Sequence, residues 1–99
     1  MISSIHGTVL RKGADFLVID VGGVGFRVEV PSGKRAPALT SDTVFLHTSL
    51  IVRQDAMTLF GFPTLEEIEA FEHMLTVSGV GPRSALGILS ALTPNEIAQ

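Results

Sequence analysis

The chain has 99 residues, 45% apolar and 17% charged, with a formal net charge of −3 and no cysteine. That balance suits one ordinary globular domain or two very small ones and is unlike a disordered chain. The missing thiols exclude disulfides, thiolate metal sites and cysteine nucleophiles, and suit a reducing cytosol. The longest apolar runs, Phe16 to Ile19 and Leu50 to Val52, are far too short to span a bilayer, and no secretory signal opens the chain. A net negative charge argues against indiscriminate nucleic-acid binding over the whole surface.

In chain order, residues 1–62 read as β. Ile2 to Leu10 carries β-branched residues and leads into a polar turn, Arg11-Lys12-Gly13-Ala14-Asp15. Phe16 to Val21 is a compact apolar run, as expected of a strand covered on both faces. Gly22-Gly23-Val24-Gly25 turns the chain, and then Phe26, Val28 and Val30 alternate with Arg27 and Glu29. Pro31 to Asp42 reads as a loop. Val44 to Arg53 and Met57 to Phe62 complete a set of five strands, with Gln54-Asp55-Ala56 between them. Five short strands in about sixty residues suit a small barrel of the OB type.

The remainder reads as α. Pro63 stops the last strand, and Thr64 with Glu67 forms a capping box. Leu65, Ile68, Phe71 and Leu75 recur at helical spacing and predict a buried stripe, with Glu66, Glu67, Glu69 and Glu72 as a solvated face. Gly79 suits a left-handed C′ position, and Pro82 the first turn of the next helix. Ala85, Leu86, Ile88, Leu89 and Leu92 predict its apolar side; Gly87 within it suggests close helix–helix approach. Thr93-Pro94-Asn95-Glu96 begins another helix that only Ile97, Ala98 and Gln99 follow, which predicts a truncated chain.

The segment between the two helices carries the chemistry. Val77-Ser78-Gly79-Val80-Gly81-Pro82-Arg83-Ser84-Ala85 reads apolar-x-Gly-apolar-Gly-x-x-x-Ala. Two glycines let backbone come close to something bulky or charged, and the amides opening the next helix lack intrahelical partners, which suits a phosphate. The candidate phosphate-binding residues are Gly79, Val80, Gly81, Arg83 and Ser84. The bland alternative is an ordinary helical corner in which Gly79 merely caps.

Other features point to no reaction. His6, His47 and His73 are widely separated, and none has a partner at metal-ligand spacing. Gly22-Gly23-Val24-Gly25 lacks the strand–helix setting of a dinucleotide fingerprint, and neither a P-loop nor a Ser/His/Asp arrangement is legible. Phe16, Phe26, Phe45, Phe60 and Phe62 sit in apolar strand patterns with few interleaved basic residues, so they read as core packing rather than a base-stacking platform. No catalytic activity, metal or cofactor is expected.

Three blocks in order carry a resemblance over the whole chain: Asp20-Val21-Gly22-Gly23-Val24-Gly25-Phe26, then Ile51-Val52-Arg53-Gln54-Asp55-Ala56 leading to Leu59-Phe60-Gly61-Phe62, then Ser78-Gly79-Val80-Gly81-Pro82-Arg83. The chain resembles the RuvA family, the Holliday-junction-binding subunits of the bacterial branch-migration complex. The resemblance implies an α+β chain: an OB-fold barrel at 1–62, then a helix-hairpin-helix domain at 64–99 with its first motif only. It implies a cytoplasmic homotetramer, one or two per junction, that holds four-way DNA open and flat. It implies as partners the motor RuvB, which a chain lacking the family's C-terminal domain should not recruit, and the resolving nuclease RuvC. The turn between the last two strands would be the acidic pin, where the family carries two adjacent acids; Asp55 matches and Gln54 departs, so repulsion of phosphates at the crossover should be weaker. By itself the same turn is an ordinary polar hairpin. A generic duplex-binding helix-hairpin-helix module and a protein-only assembly scaffold remain as alternatives; junction preference and DNA binding at low salt separate them.

Overall fold

The computed structural model describes residues 1–33, 36–37 and 42–92. Five strands close into a barrel in the order β1-β2-β3-β5-β4: β1 Ser4–Lys12, β2 Phe16–Val21, β3 Val24–Glu29, β4 Thr43–Val52 and β5 Met57–Phe62. All neighbours are antiparallel except β3 and β5, and the β1–β4 pairing closes the ring. Ile5, Leu17, Ile19, Val28, Val30, Val44, Leu46 and Leu59 fill the interior. Gly61 also points inward. A Cβ there would lie 2.6 Å from Val28 Cγ1 and 3.0 Å from Leu46 Cδ1, so only a missing side chain fits this layer.

The alternation is broken once. β1 carries a bulge between Val9 and Arg11, so Leu10 is extra and exposed. Ile5, Gly7 and Val9 share one parity, and Arg11 would share it too. The bulge reverses the parity and turns Arg11 to the outer face, opposite Val18 rather than Leu17. The strand begins two residues later than Ile2 and runs on to Lys12, which leaves only Gly13–Asp15 for the turn.

α1 (Leu65–Thr76) and α2 (Pro82–Ala91) pack on the outer side of β5. Phe60 and Phe62 alternate outward from the barrel and meet Ile68 and Phe71 of α1 and Ala85, Leu86 and Leu89 of α2. Phe71 is fully buried, its ring centroid 5.1 Å from that of Phe60 and 4.9 Å from that of Phe62. This second cluster sets how the helices sit on the barrel. α2 is tied at both ends to residues of β3 or just after it: Arg83 reaches Glu29, and Ser90 Oγ accepts a 3.1 Å hydrogen bond from the Ser32 amide.

Several expectations need correction. Leu65 opens α1 on its outer side and is 53% exposed, so the stripe starts at Ile68. Glu67 is buried: Thr64 Oγ1 accepts from its amide at 3.2 Å and donates to its Oε1 at 2.8 Å, folding the carboxylate over the cap. Ile88 lies on the exposed side of α2. A Cβ at Gly87 would meet nothing within 4 Å, so this glycine does not serve a helix–helix approach among the described residues. Phe45 points out of β4 at 49% exposure, flanked by the rings of His6 and His47, because its register places it opposite the outward His6. Only one face of β2 is fully covered; Phe16 and Val18, on the other, are half-buried. The helix start read at Thr93 to Gln99 lies outside the described residues, as does part of the loop Pro31 to Asp42.

Candidate nucleic-acid interface

The hairpin between the helices is built by its two glycines. α1 ends with Val77 as C-cap, and Gly79, two residues beyond, takes φ +67, a left-handed conformation that side chains other than glycine adopt at a cost. The Val80 amide returns to Met74 O at 3.1 Å and satisfies a terminal carbonyl of α1. Val80 is therefore a structural member of the hairpin with its N–H committed, and its side chain packs against the helical cluster.

Gly81 is the N-cap of α2, in extended conformation with no side chain to cap the helix. Pro82 carries no N–H, and the first bond of the helix runs from the Ala85 amide to Gly81 O at 2.9 Å. The amides of Gly81, Arg83 and Ser84 make no hydrogen bond among the described residues. α2 has no acid in its first turn, unlike α1, where Glu66 and Glu67 occupy that place. The positive end of α2 is thus left unneutralised. A Cβ at Gly79 or Gly81 would meet nothing within 4 Å, so backbone faces open space at both glycines.

A cleft of about 330 Å3 runs between this hairpin and the β4–β5 end of the barrel. Gly81, Arg83 and Ser84 line one wall, and Arg53 and Thr58 the other. Arg53 begins the turn that joins the two strands, closed by its amide donating to Ala56 O at 2.8 Å. Gln54 and Asp55 are exposed at the tip of that turn and do not line the cleft. The structure therefore brings Arg53 to the hairpin and holds Gln54 and Asp55 beyond it. Arg53 did not stand out in the sequence, where it reads as the polar end of a strand.

The Arg83 side chain is engaged. Its Nη1 donates to Glu29 Oε1 at 2.7 Å, while Arg27 Nε donates to the other carboxylate oxygen at 2.9 Å. The Glu29 side chain is 4% exposed, whereas those of Arg27 and Arg83 are 57% and 64% exposed. The Arg83 guanidinium also lies 5.7 Å from the centroid of Phe60. Strand alternation put Glu29 on the outer side with Arg27; only the docking of α2 covers it. Burial alone would raise the Glu29 carboxyl, but the hydrogen bonds from Arg83 and Arg27 and their charges outweigh it and hold the group below its ordinary value.

A folded-state value below the unfolded one stabilises the chain above the ordinary carboxylate range. That contribution is lost as pH falls through the folded value. Acid unfolding should therefore begin as Glu29 protonates, and Glu29→Gln should flatten that part of the pH–stability curve. The substitution should cost about 1–2 kcal/mol at neutral pH, between the values for exposed and fully buried pairs, because Glu29 is buried while both arginines are solvent-screened. Urea titrations of both proteins across the acid range test it; parallel curves would remove the tether.

The comparisons with known proteins decide the family. Residues 1–61 match the model of the RuvA N terminal domain. The chain belongs to the RuvA family. It is 49% identical over 98 residues to the Holliday junction branch migration complex subunit RuvA of Leifsonia xyli, covering 99% of this chain and 47% of that one. With the subunit of the same name from Chloroflexus aggregans it shares 46% identity over 99 residues, covering 98% of this chain and 50% of the relative. The Rubrobacter xylanophilus subunit is 45% identical over 100 residues, covering 100% of this chain and 51% of the relative. The chain spans about half the length of these curated RuvA relatives.

Proposed function

We propose that this chain is a non-catalytic DNA-binding subunit that recognises four-way junctions in recombination and repair. One observation carries the reading: Gly81, Arg83 and Ser84, whose amides are unpaired among the described residues at the unneutralised start of α2, line a cleft whose other wall holds Arg53. This arrangement takes a sugar–phosphate backbone and reads no base edge. Relatives named as Holliday junction branch migration complex subunits support the choice of DNA.

In this reading the barrel, 1–62, is the scaffold and the assembly contact, and 64–99 is the first helix-hairpin-helix motif. The subunits form a homotetramer in the cytoplasm, one or two to a junction, with Asp55 and Gln54 at the crossover. One acid per turn repels phosphates there and disfavours duplex lying straight across. RuvB supplies the motor and RuvC the resolving nuclease.

An equilibrium titration of the chain against an immobile four-way junction and a duplex of matched sequence, at low salt, tests the proposal. The junction should bind more tightly, and log K should fall linearly with log salt for both. Equal affinity would favour a generic duplex-gripping module, which also needs only contacts to the sugar–phosphate backbone. No binding to either would overturn the DNA reading and leave an assembly scaffold.

A further inference from the structure

The outer face of β1, β2 and β3 carries a feature that the hairpin does not explain. The register sets Arg11, Val18 and Arg27 opposite one another in one transverse row, and Phe16 opposite Glu29 in the next row on the same face. The Arg27 guanidinium carbon lies 4.0 Å from the Phe16 ring centroid, and that of Arg11 5.5 Å from it. Arg27 then joins Glu29, and Glu29 joins Arg83 at the start of α2. Arg11 belongs to this face only because of the bulge at Leu10.

We propose that Arg11 and Arg27, stacked on Phe16, form a second phosphate-binding strip on the barrel, continuous through Glu29 and Arg83 with the hairpin. The ligand is the sugar–phosphate backbone of the same DNA that the hairpin grips, so the inference rests on that reading. On this face Arg11, Arg27 and Arg83 stand against Glu29, which two of the arginines already engage, and Asp20, whose Oδ1 accepts from the Gly23 amide, with Asp15 in the adjoining turn. Arg11 is exposed and Arg27 is 57% exposed, so both keep donors towards solvent. Stacking on an aromatic ring holds each guanidinium in place without using its in-plane donors, which lowers the ordering cost of binding. Both guanidinium carbons lie within 5.5 Å of the one ring centroid, so the pair is close enough to meet neighbouring phosphates of a single strand. Glu29 has the complementary role of a positioning residue, fixing Arg27 and Arg83 relative to each other.

Salt titrations of DNA binding test the strip. Arg11 has no ion pair among the described residues, so Arg11→Gln removes a strip charge without disturbing Glu29. Each of Arg11→Gln and Arg27→Gln should weaken duplex and junction binding several-fold and lower the log K against log salt slope by about 0.9, one phosphate contact each. Slopes and affinities equal to those of the unmodified chain in both variants would overturn the strip and leave the hairpin reading standing. A change confined to Arg27→Gln, which also loosens Glu29 and Arg83, would overturn it too. Failure of the unmodified chain to bind any DNA would overturn the strip together with the proposed function.

Discussion

Gly81→Val should leave the fold intact and weaken DNA binding by roughly 10- to 100-fold, about 1.5–3 kcal/mol for donors lost to a charged acceptor. Two properties of the site make the experiment clean. Gly81 sits at φ −67, ψ 155, a conformation that a β-branched residue adopts readily. A Cβ there would meet no atom of the chain within 4 Å, so the added isopropyl group projects into the space where a phosphate would approach the Gly81, Arg83 and Ser84 amides. Urea midpoints of the two proteins should agree while their DNA titrations diverge. Equal affinity in a folded Gly81→Val chain would remove the hairpin from the mechanism. Gly79→Val provides the contrast. Its φ of +67 makes the same substitution cost roughly 1–2 kcal/mol of stability by strain, so its binding defect would come with a lowered midpoint.

Phe71→Ala should destabilise the chain by about 3–5 kcal/mol, the usual cost of emptying a fully buried aromatic site. A domain of this size has on the order of 5–15 kcal/mol in total, so the variant should be close to half unfolded at moderate urea. Phe71 is 0% exposed and its ring contacts both Phe60 and Phe62, the two β5 side chains that carry the helices. The cavity would therefore open between barrel and helices and loosen the cleft that holds Arg53 against Gly81 and Arg83. Urea denaturation measures the loss directly. A shift below about 1 kcal/mol would mean that the two halves are joined chiefly by the Arg83–Glu29 and Ser90–Ser32 contacts instead.

The strands, both helices and the glycine hairpin were legible in the sequence because each rests on local chemistry. Alternation sorts Val28 from Arg27, Thr64 and Glu67 open α1, and Gly79 and Pro82 end one helix and start the next. The errors fall where a neighbour distant in sequence decides. Glu67 reads as a solvated acid and Glu29 only as the polar side of an alternating strand, yet the cap folds over the first and α2 covers the second. Phe45 reads as core by its type and is exposed by its parity; Arg11 reads as a turn residue and is turned outward by a bulge.

Backbone conformation and the period of the apolar residues are properties of neighbouring positions, so the element order and the acid-free start of α2 can be read from the chain alone. The blocks around Gly22, Asp55 and Gly79 made the family resemblance legible as well, and residues 1–61 match the RuvA N terminal domain. What lies beside what is a different matter. Arg83 meets Glu29 across 54 positions, Arg53 meets Gly81 across a cleft, and Arg11 shares a row with Arg27 through two strand pairings. Such contacts depend on barrel closure and on how the Phe60–Phe62–Phe71 cluster seats the helices, and only the tertiary structure decides them.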